Sequence, residues 1–244
     1  MSISDRQEEI LKIVGERTYI TVNELARLTY TSPSSIRRDL TAMQNVGLVK
    51  RSHGGVSMPE SLNVVASYYD RTNRNIKEKR AIAKKAAELL SDGQSIMLDG
   101  SSTASFMLPY IAKLDSVTVF TNNLETALQS IKLGIDTHCL GGRSVNGSAA
   151  LVGSEACKTI ADISVDILFF ASQSLAANGV ISDSAQEENY LRRLMLEHAK
   201  TTVFLCDSGK FGCSSLYKLV DMDDVDYAVF DKPYEELKAS TKIL

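Results

Sequence analysis

Two sets of residues in this chain have types and spacings that could do chemistry. The first begins at Asp99-Gly100-Ser101-Ser102-Thr103, directly after the apolar run Ser95–Leu98 and before a helical pattern over 102–112. Small residues let main-chain amides close on an anion, hydroxyls add donors, and a following helix N-terminus favours negative charge, so this turn reads as a phosphate cradle. Three more polar clusters follow apolar runs: Thr121-Asn122-Asn123, Leu140-Gly141-Gly142-Arg143 and Asp207-Ser208-Gly209-Lys210. Each alone is turn chemistry. Four such ends converging on one sheet edge, with Arg143 and Lys210 as cations, predict a pocket for an anionic small molecule.

The second set lies near the start of the chain. Ile36, Leu40 and Met43 at i, i+4 and i+7 make a buried stripe, which leaves Ser34, Ser35, Arg37, Arg38, Thr41 and Asn45 on the opposite face. Guanidinium forks reach guanine edges or phosphates, and hydroxyls reach phosphate oxygens. Lys50, Arg51 and His53 follow in a segment turning at Gly54-Gly55, a short hairpin with a basic edge. That combination predicts contact with double-stranded DNA, Arg37 and Arg38 at base edges or phosphate, Ser35 at phosphate, and Lys50, Arg51 and His53 at the neighbouring backbone.

The elements that must position these residues divide the chain. Residues 1–58 show three helical signals, with capping boxes at Ser4/Gln7 and Thr21/Glu24, a Ser32-Pro33 start and a Gly47 stop. With the hairpin they describe a winged helix-turn-helix. Residues 59–75 have linker character around Ser57-Met58-Pro59-Glu60-Ser61. Within 71–85, the run Arg71, Arg74, Lys77, Lys79, Arg80, Lys84 and Lys85 reads as a solvated helix face. Residues 76–244 alternate strands (95–98, 117–120, 136–140, 166–171, 202–206, 227–230) with helices (102–112, 123–132, 154–161, 186–199). The expected fold class is α/β, a small winged head on a larger Rossmann-like body whose mostly parallel sheet has helices on both faces.

Composition narrows the function. The 244 residues are 44% hydrophobic and 23% charged, an ordinary globular balance. No apolar run is long enough to span a membrane, and the N-terminus lacks a secretory layout, so a cytoplasmic protein is expected. The net charge of −3 conceals a division: residues 1–58 hold eight Lys and Arg against six Asp and Glu, and the remainder nineteen against twenty-four. Any anionic polymer would meet the basic head. Cys139, Cys157, Cys206 and Cys213 show no Cys-x-x-Cys pair, so free thiols are expected, with no metal site and no cofactor. An isomerase or deaminase using Asp207 and Lys210 is the alternative; against it, His53, His138 and His198 show no partner arrangement and the head would have no role. A DNA-binding scaffold without a ligand is a third reading.

The segment Ser35-Ile36-Arg37-Arg38-Asp39-Leu40, with Arg51-Ser52-His53-Gly54-Gly55 after it, resembles the signature of DeoR-type bacterial transcriptional regulators. The body resembles, more loosely, the effector domain of that family, related in fold to sugar-phosphate isomerases. The resemblance implies that Asp99, Gly100, Ser101, Ser102 and Thr103 hold a phosphate. It implies that Asn122, Asn123, Gly141, Gly142, Arg143, Asp207 and Lys210 contact a phosphorylated sugar. It further implies a repressor of carbohydrate metabolism genes rather than an enzyme, acting as a homo-oligomer (dimer or tetramer). Two departures stand out: the first loop usually reads Asp-Ser-Gly-Thr-Thr, with Gly and Ser exchanged here, and position 209 is Gly where the family has Ser.

Overall fold

The computed structural model describes residues 5–15, 17, 19–45, 48–52, 54–57, 63–145 and 148–244. Internal packing divides the chain into two compact units, 1–71 and 72–244.

In the first unit, α1 (Asp5–Gly15), β1 (Ile20–Thr21), α2 (Val22–Leu28) and α3 (Pro33–Asn45) precede β2 (Lys50–Ser52), β3 (Gly55–Ser57) and α4 (Asn63–Asn73). The Thr21/Glu24 capping box forms: Thr21 Oγ1 accepts the Glu24 N–H at 3.2 Å, and the Glu24 carboxylate accepts the Thr21 N–H at 3.1 Å. Ser32 Oγ accepts the Ser35 N–H at the start of α3. Ile10, Val14, Leu25, Ile36, Leu40, Met43 and Val56 close one core. The hairpin expected after α3 is β2–β3, and β1 extends it to three antiparallel strands in the order β1-β3-β2. Gly55 is required there, because a Cβ would collide with the Tyr19 ring and the Ile20 carbonyl. The expected Ser4 cap, Gly47 stop and His53 contact lie outside the described residues. The stretch read as a linker contains α4: turn-forming residues cluster only up to Ser61, whereas Tyr68 is buried and stacks under the Arg71 guanidinium.

The second unit is built on seven parallel strands in the order β15-β14-β12-β9-β4-β5-β6. In chain order its elements are α5 (Ile76–Ala86), β4 (Ser95–Leu98), α6 (Leu108–Ile111), β5 (Thr118–Thr121), α7 (Leu124–Lys132), β6 (Asp136–Cys139), β7 (Arg143–Ser144), β8 (Leu151–Val152), α8 (Ser154–Ala161), β9 (Val165–Phe170), β10 (Ser174–Leu175), β11 (Val180–Asp183), α9 (Gln186–Glu197), β12 (Ala199–Cys206), β13 (Tyr217–Asp221), β14 (Tyr227–Phe230) and β15 (Lys242–Ile243). Alternation along the strands sends Ile96, Leu98, Ile167, Phe169, Val203 and Leu205 to a core with α5 and α6. Met97, Leu168, Phe170, Phe204 and Cys206 go to the opposite core, with α8 and α9. Strand order runs outward from β4 in one direction and from β9 in the other, so the topological switch point lies between these two strands. In open α/β sheets the crevice at the carboxyl ends beside that point is where ligands bind. The small antiparallel sheets β10-β11-β13 and β7-β8 were not expected; β7, β8 and β10 have two residues each, too short a pattern to read.

Candidate functional site

Asp99 ends β4 at the switch point. Its Oδ1 accepts the Ser101 N–H at 3.1 Å, and its Oδ2 accepts the Ala171 N–H at the end of β9 at 3.3 Å and the Arg192 Nε–H at 2.8 Å. One buried carboxylate thus joins the two central strand ends and folds the loop after it. The main-chain N–H groups of Gly100, Ser102 and Thr103 have no hydrogen-bond partner among the described residues, and these are the donors an anion would use. Gly100 stands where a Cβ would lie 2.9 Å from the Ala150 Cβ, which explains a glycine at this place in the exchanged motif. The helix expected over 102–112 is a short 3-10 segment, Ala104–Met107, followed by the four-residue α6. The loop therefore relies on its amides and on a side-chain cation rather than on a long helix dipole.

That cation is Lys79, which the solvated reading of the 71–85 run missed. Lys79 is 4% exposed and donates to Ser102 Oγ at 3.1 Å. Its neighbours in the run, Arg74, Lys77, Arg80 and Lys84, are exposed, so only burial singles it out. Asp207, at the end of β12, accepts from Asn75 Nδ2 at 2.7 Å and lies 3.3 Å from Lys210 Nζ. Burial pushes the Asp207 carboxyl up, but Lys210, Asn75 and Lys79 together outweigh it and hold its pKa below the usual value. A Cβ at Gly209 would sit 3.0 Å from Asp207 Oδ1 and 3.2 Å from Asn75 Nδ2, so glycine leaves room for that bond.

Asn122 and Asn123, expected at the effector, are 3% and 0% exposed. Asn123 caps α7 by accepting the Thr126 N–H and donates to the Gly100 and Ser148 carbonyls; Asn122 donates to the Leu151 carbonyl. The Asn123 bond to Gly100 holds the loop from behind, and the Asn122 bond ties the end of β5 to β8. Arg143 does not join Lys210: its exposed side chain bonds Glu187 at 2.7 Å. Gly141 and Gly142 shape the approach to β7 with φ of +75° and +108°, and a Cβ at Gly142 would strike the Val152 carbonyl.

A second feature that the sequence hid lies behind Asp99. Arg192 on α9 is buried among Asp99, Asp183 and Glu188, at 2.8, 3.5 and 3.9 Å, and donates to Asn189 Oδ1. Burial opposes the Arg192 charge; the three carboxylates outweigh it and raise its pKa. Arg192 and Arg193 are adjacent in an unremarkable helical segment, and only the fold distinguishes the buried one.

In the first unit, Ser34, Arg37, Arg38 and Lys50 are exposed and Ser35 is half-buried. Arg51 donates to Thr41 Oγ1 at 2.7 Å, tying the wing to α3. Asp39, the one carboxylate of α3, is buried under a fork from Arg6, with Nε–Oδ2 at 2.6 Å and Nη2–Oδ1 at 3.0 Å. The described outer face of α3 is left cationic, as a phosphate backbone requires.

The winged helix-turn-helix with its cationic α3, and the α/β unit with an amide-lined loop at its switch point, define a DNA-binding regulator with a sensor domain. Residues 6–62 match the DeoR-like helix-turn-helix domain and 74–232 the DeoR C terminal sensor domain. The chain is 32% identical to the HTH-type transcriptional regulator GolR of Listeria innocua, over 93% of this chain and 90% of that one. It is 27% identical to the glycerol-3-phosphate regulon repressor of Haemophilus influenzae, over 93% and 89%. Ribose 5-phosphate isomerase A from Methanocaldococcus jannaschii superposes on 56% of this chain and 55% of its own, with TM-score 0.43 and 19% identity. The chain belongs to the DeoR family of transcriptional regulators, which bind DNA and are not enzymes. The isomerase or deaminase alternative gives way to that membership. No helix among the described residues is long and apolar enough to cross a membrane.

Proposed function

We propose that this protein is a cytoplasmic repressor of carbohydrate metabolism genes, working as a homo-oligomer, whose operator affinity is set by a phosphorylated sugar at the Gly100–Thr103 loop. The observation that carries the reading is the buried Lys79 ammonium on Ser102, beside three loop amides with no hydrogen-bond partner among the described residues. Amides and an ammonium present only donors, and a phosphate presents only acceptors at neutral pH apart from one titrating proton. Asp207 and Lys210 would face the sugar end, while Asp99 and Asn123 hold the loop in shape. A ligand changes operator affinity only as far as it prefers one arrangement of the heads, so the effector must bind the DNA-free and DNA-bound forms unequally. Arg37, Arg38, Ser34, Ser35, Lys50 and Arg51 supply the operator contacts, with two heads reading half-sites about one helical turn apart.

The test is operator binding by fluorescence anisotropy, with and without a panel of phosphosugars. One panel member should shift operator affinity, and Arg38→Ala should weaken specific binding by about 1–3 kcal/mol if the side chain reads a base. A panel without effect on either operator affinity or melting temperature removes the phosphosugar from the reading.

A further inference from the structure

Helix α7 has its residue types inverted. Its buried side carries Thr126, Ala127 and Ser130, and the Ser130 hydroxyl accepts from Thr137 of β6 at 2.8 Å. Leu124, Leu128 and Ile131, at i, i+4 and i+7, face outward with Leu133 just past the end, and are 48%, 47%, 60% and 48% exposed. A surface helix normally turns such a stripe inward. Elsewhere among the described residues of this unit, large exposed apolar side chains (Tyr190, Leu216, Ile243) stand singly. A contiguous apolar patch of this kind marks an interaction surface. Along its flank runs a trough of about 460 Å³, lined by Phe106, Leu108, Pro109 and Tyr110 together with Gln129 and Leu133 of the α7 end.

We propose that a second copy of this chain covers α7, the two helices packing antiparallel about a two-fold axis near Leu128. One observation selects a copy of the same chain over another occupant, and it is charge: α7 carries one acid near its start, Glu125, and one base at its end, Lys132, on the same flank of the helix. Antiparallel packing sets Glu125 of each copy against Lys132 of the other, the self-complementarity an isologous interface requires, and parallel packing forms neither pair. Large apolar side chains at the centre with charges at the rim are the anatomy of a stable interface. The surface stands without the effector reading, since none of the residues placed at the anion takes part in it.

Sedimentation of the full chain tests the proposal. The wild type should associate, and Leu128→Glu and Ile131→Lys, both at exposed positions, should each raise the dissociation constant about thirtyfold or more, halving the mass. An unchanged circular dichroism spectrum, with a melting temperature no lower than that of the wild type diluted to monomer, confirms that the fold is intact. Glu125→Lys and Lys132→Glu should each weaken association several-fold, and the double variant should restore it. A wild type that is monomeric at about 100 µM, which would leave α7 to a different protein, overturns the proposal. So does a Leu128→Glu chain that associates like the wild type. Charge variants that do not rescue one another overturn the antiparallel arrangement.

Discussion

The Lys79 ammonium donates to the Ser102 hydroxyl across 3.1 Å, with both side chains buried behind the loop of the switch point. A buried ammonium is costly unless anions compensate it, and Asp207 is the neighbour whose pKa registers the Lys79 charge. A bound phosphate would add compensation, so Lys79→Met, which keeps the stem and removes the charge, should weaken effector binding. A hydrogen bond to a charged group is worth about 1.5–3 kcal/mol, so the loss should be about 10- to 100-fold. Calorimetry with the phosphosugar that binds the wild type reads the loss, while operator affinity without effector stays unchanged. Equal affinity in the variant would take Lys79 out of the effector site.

The sequence carried the periodic parts of this molecule and hid the contacts made across long separations. Ser95–Leu98, Tyr227–Phe230 and 154–161 are found as read, because buried parallel strands are short apolar runs and α8 has a clear amphipathic face. The Thr21/Glu24 box was legible because capping is local. Lys79 was not, since one buried lysine in a run of seven cations has no distinguishing neighbour in sequence. Arg192 meets Asp99 across 93 positions and Arg6 meets Asp39 across 33, and no local pattern encodes either pair. Asn122 and Asn123 were placed correctly at a strand end, but which way a side chain points there depends on β8 and the 148–150 backbone, which the motif does not contain.

Arg192 is the cation that Asp99, Asp183 and Glu188 share, so its removal leaves buried negative charge less compensated. Breaking a buried ion pair from one side costs about 3–5 kcal/mol, a large part of the roughly 5–15 kcal/mol that holds a domain folded. Arg192→Met should therefore lower the melting temperature of the 72–244 unit sharply or prevent its folding. Glu188→Gln, which keeps the side-chain shape and removes the carboxylate furthest from Arg192, should cost far less. Similar losses in the two variants would mean that packing, rather than charge, governs this cluster.

In the head, the Arg6 fork decides whether the buried Asp39 carboxylate opposes DNA. Arg6→Gln leaves that carboxylate uncompensated on the helix that carries Arg37 and Arg38. Operator binding should weaken most at low salt, where unscreened repulsion reaches furthest, and the unfolding temperature of the head should fall. Arg6→Gln combined with Asp39→Asn should recover both, because the charge and the need for its partner disappear together. Anisotropy titrations at two ionic strengths measure the effect. A double variant as weak as the single one would show that Arg6 acts on DNA directly.

Asp207 gives the body a pH signature whose sign follows from its surroundings. Lys210, Asn75 and Lys79 together overcome the burial penalty and hold its folded-state pKa below the ordinary 3.8. A group with a depressed folded pKa binds fewer protons folded than unfolded. Its stabilisation is complete above the ordinary value and disappears as pH falls through the folded one. Asp207→Asn should therefore be less stable than the wild type at neutral pH by an amount that stays constant down to about pH 5 and then shrinks as the wild-type carboxyl is protonated. Urea unfolding at a series of pH values reads this difference directly. A difference that persists unchanged in acid would mean that Asp207 contributes through shape and hydrogen bonding, and that Lys210 and Lys79 do not depend on its charge.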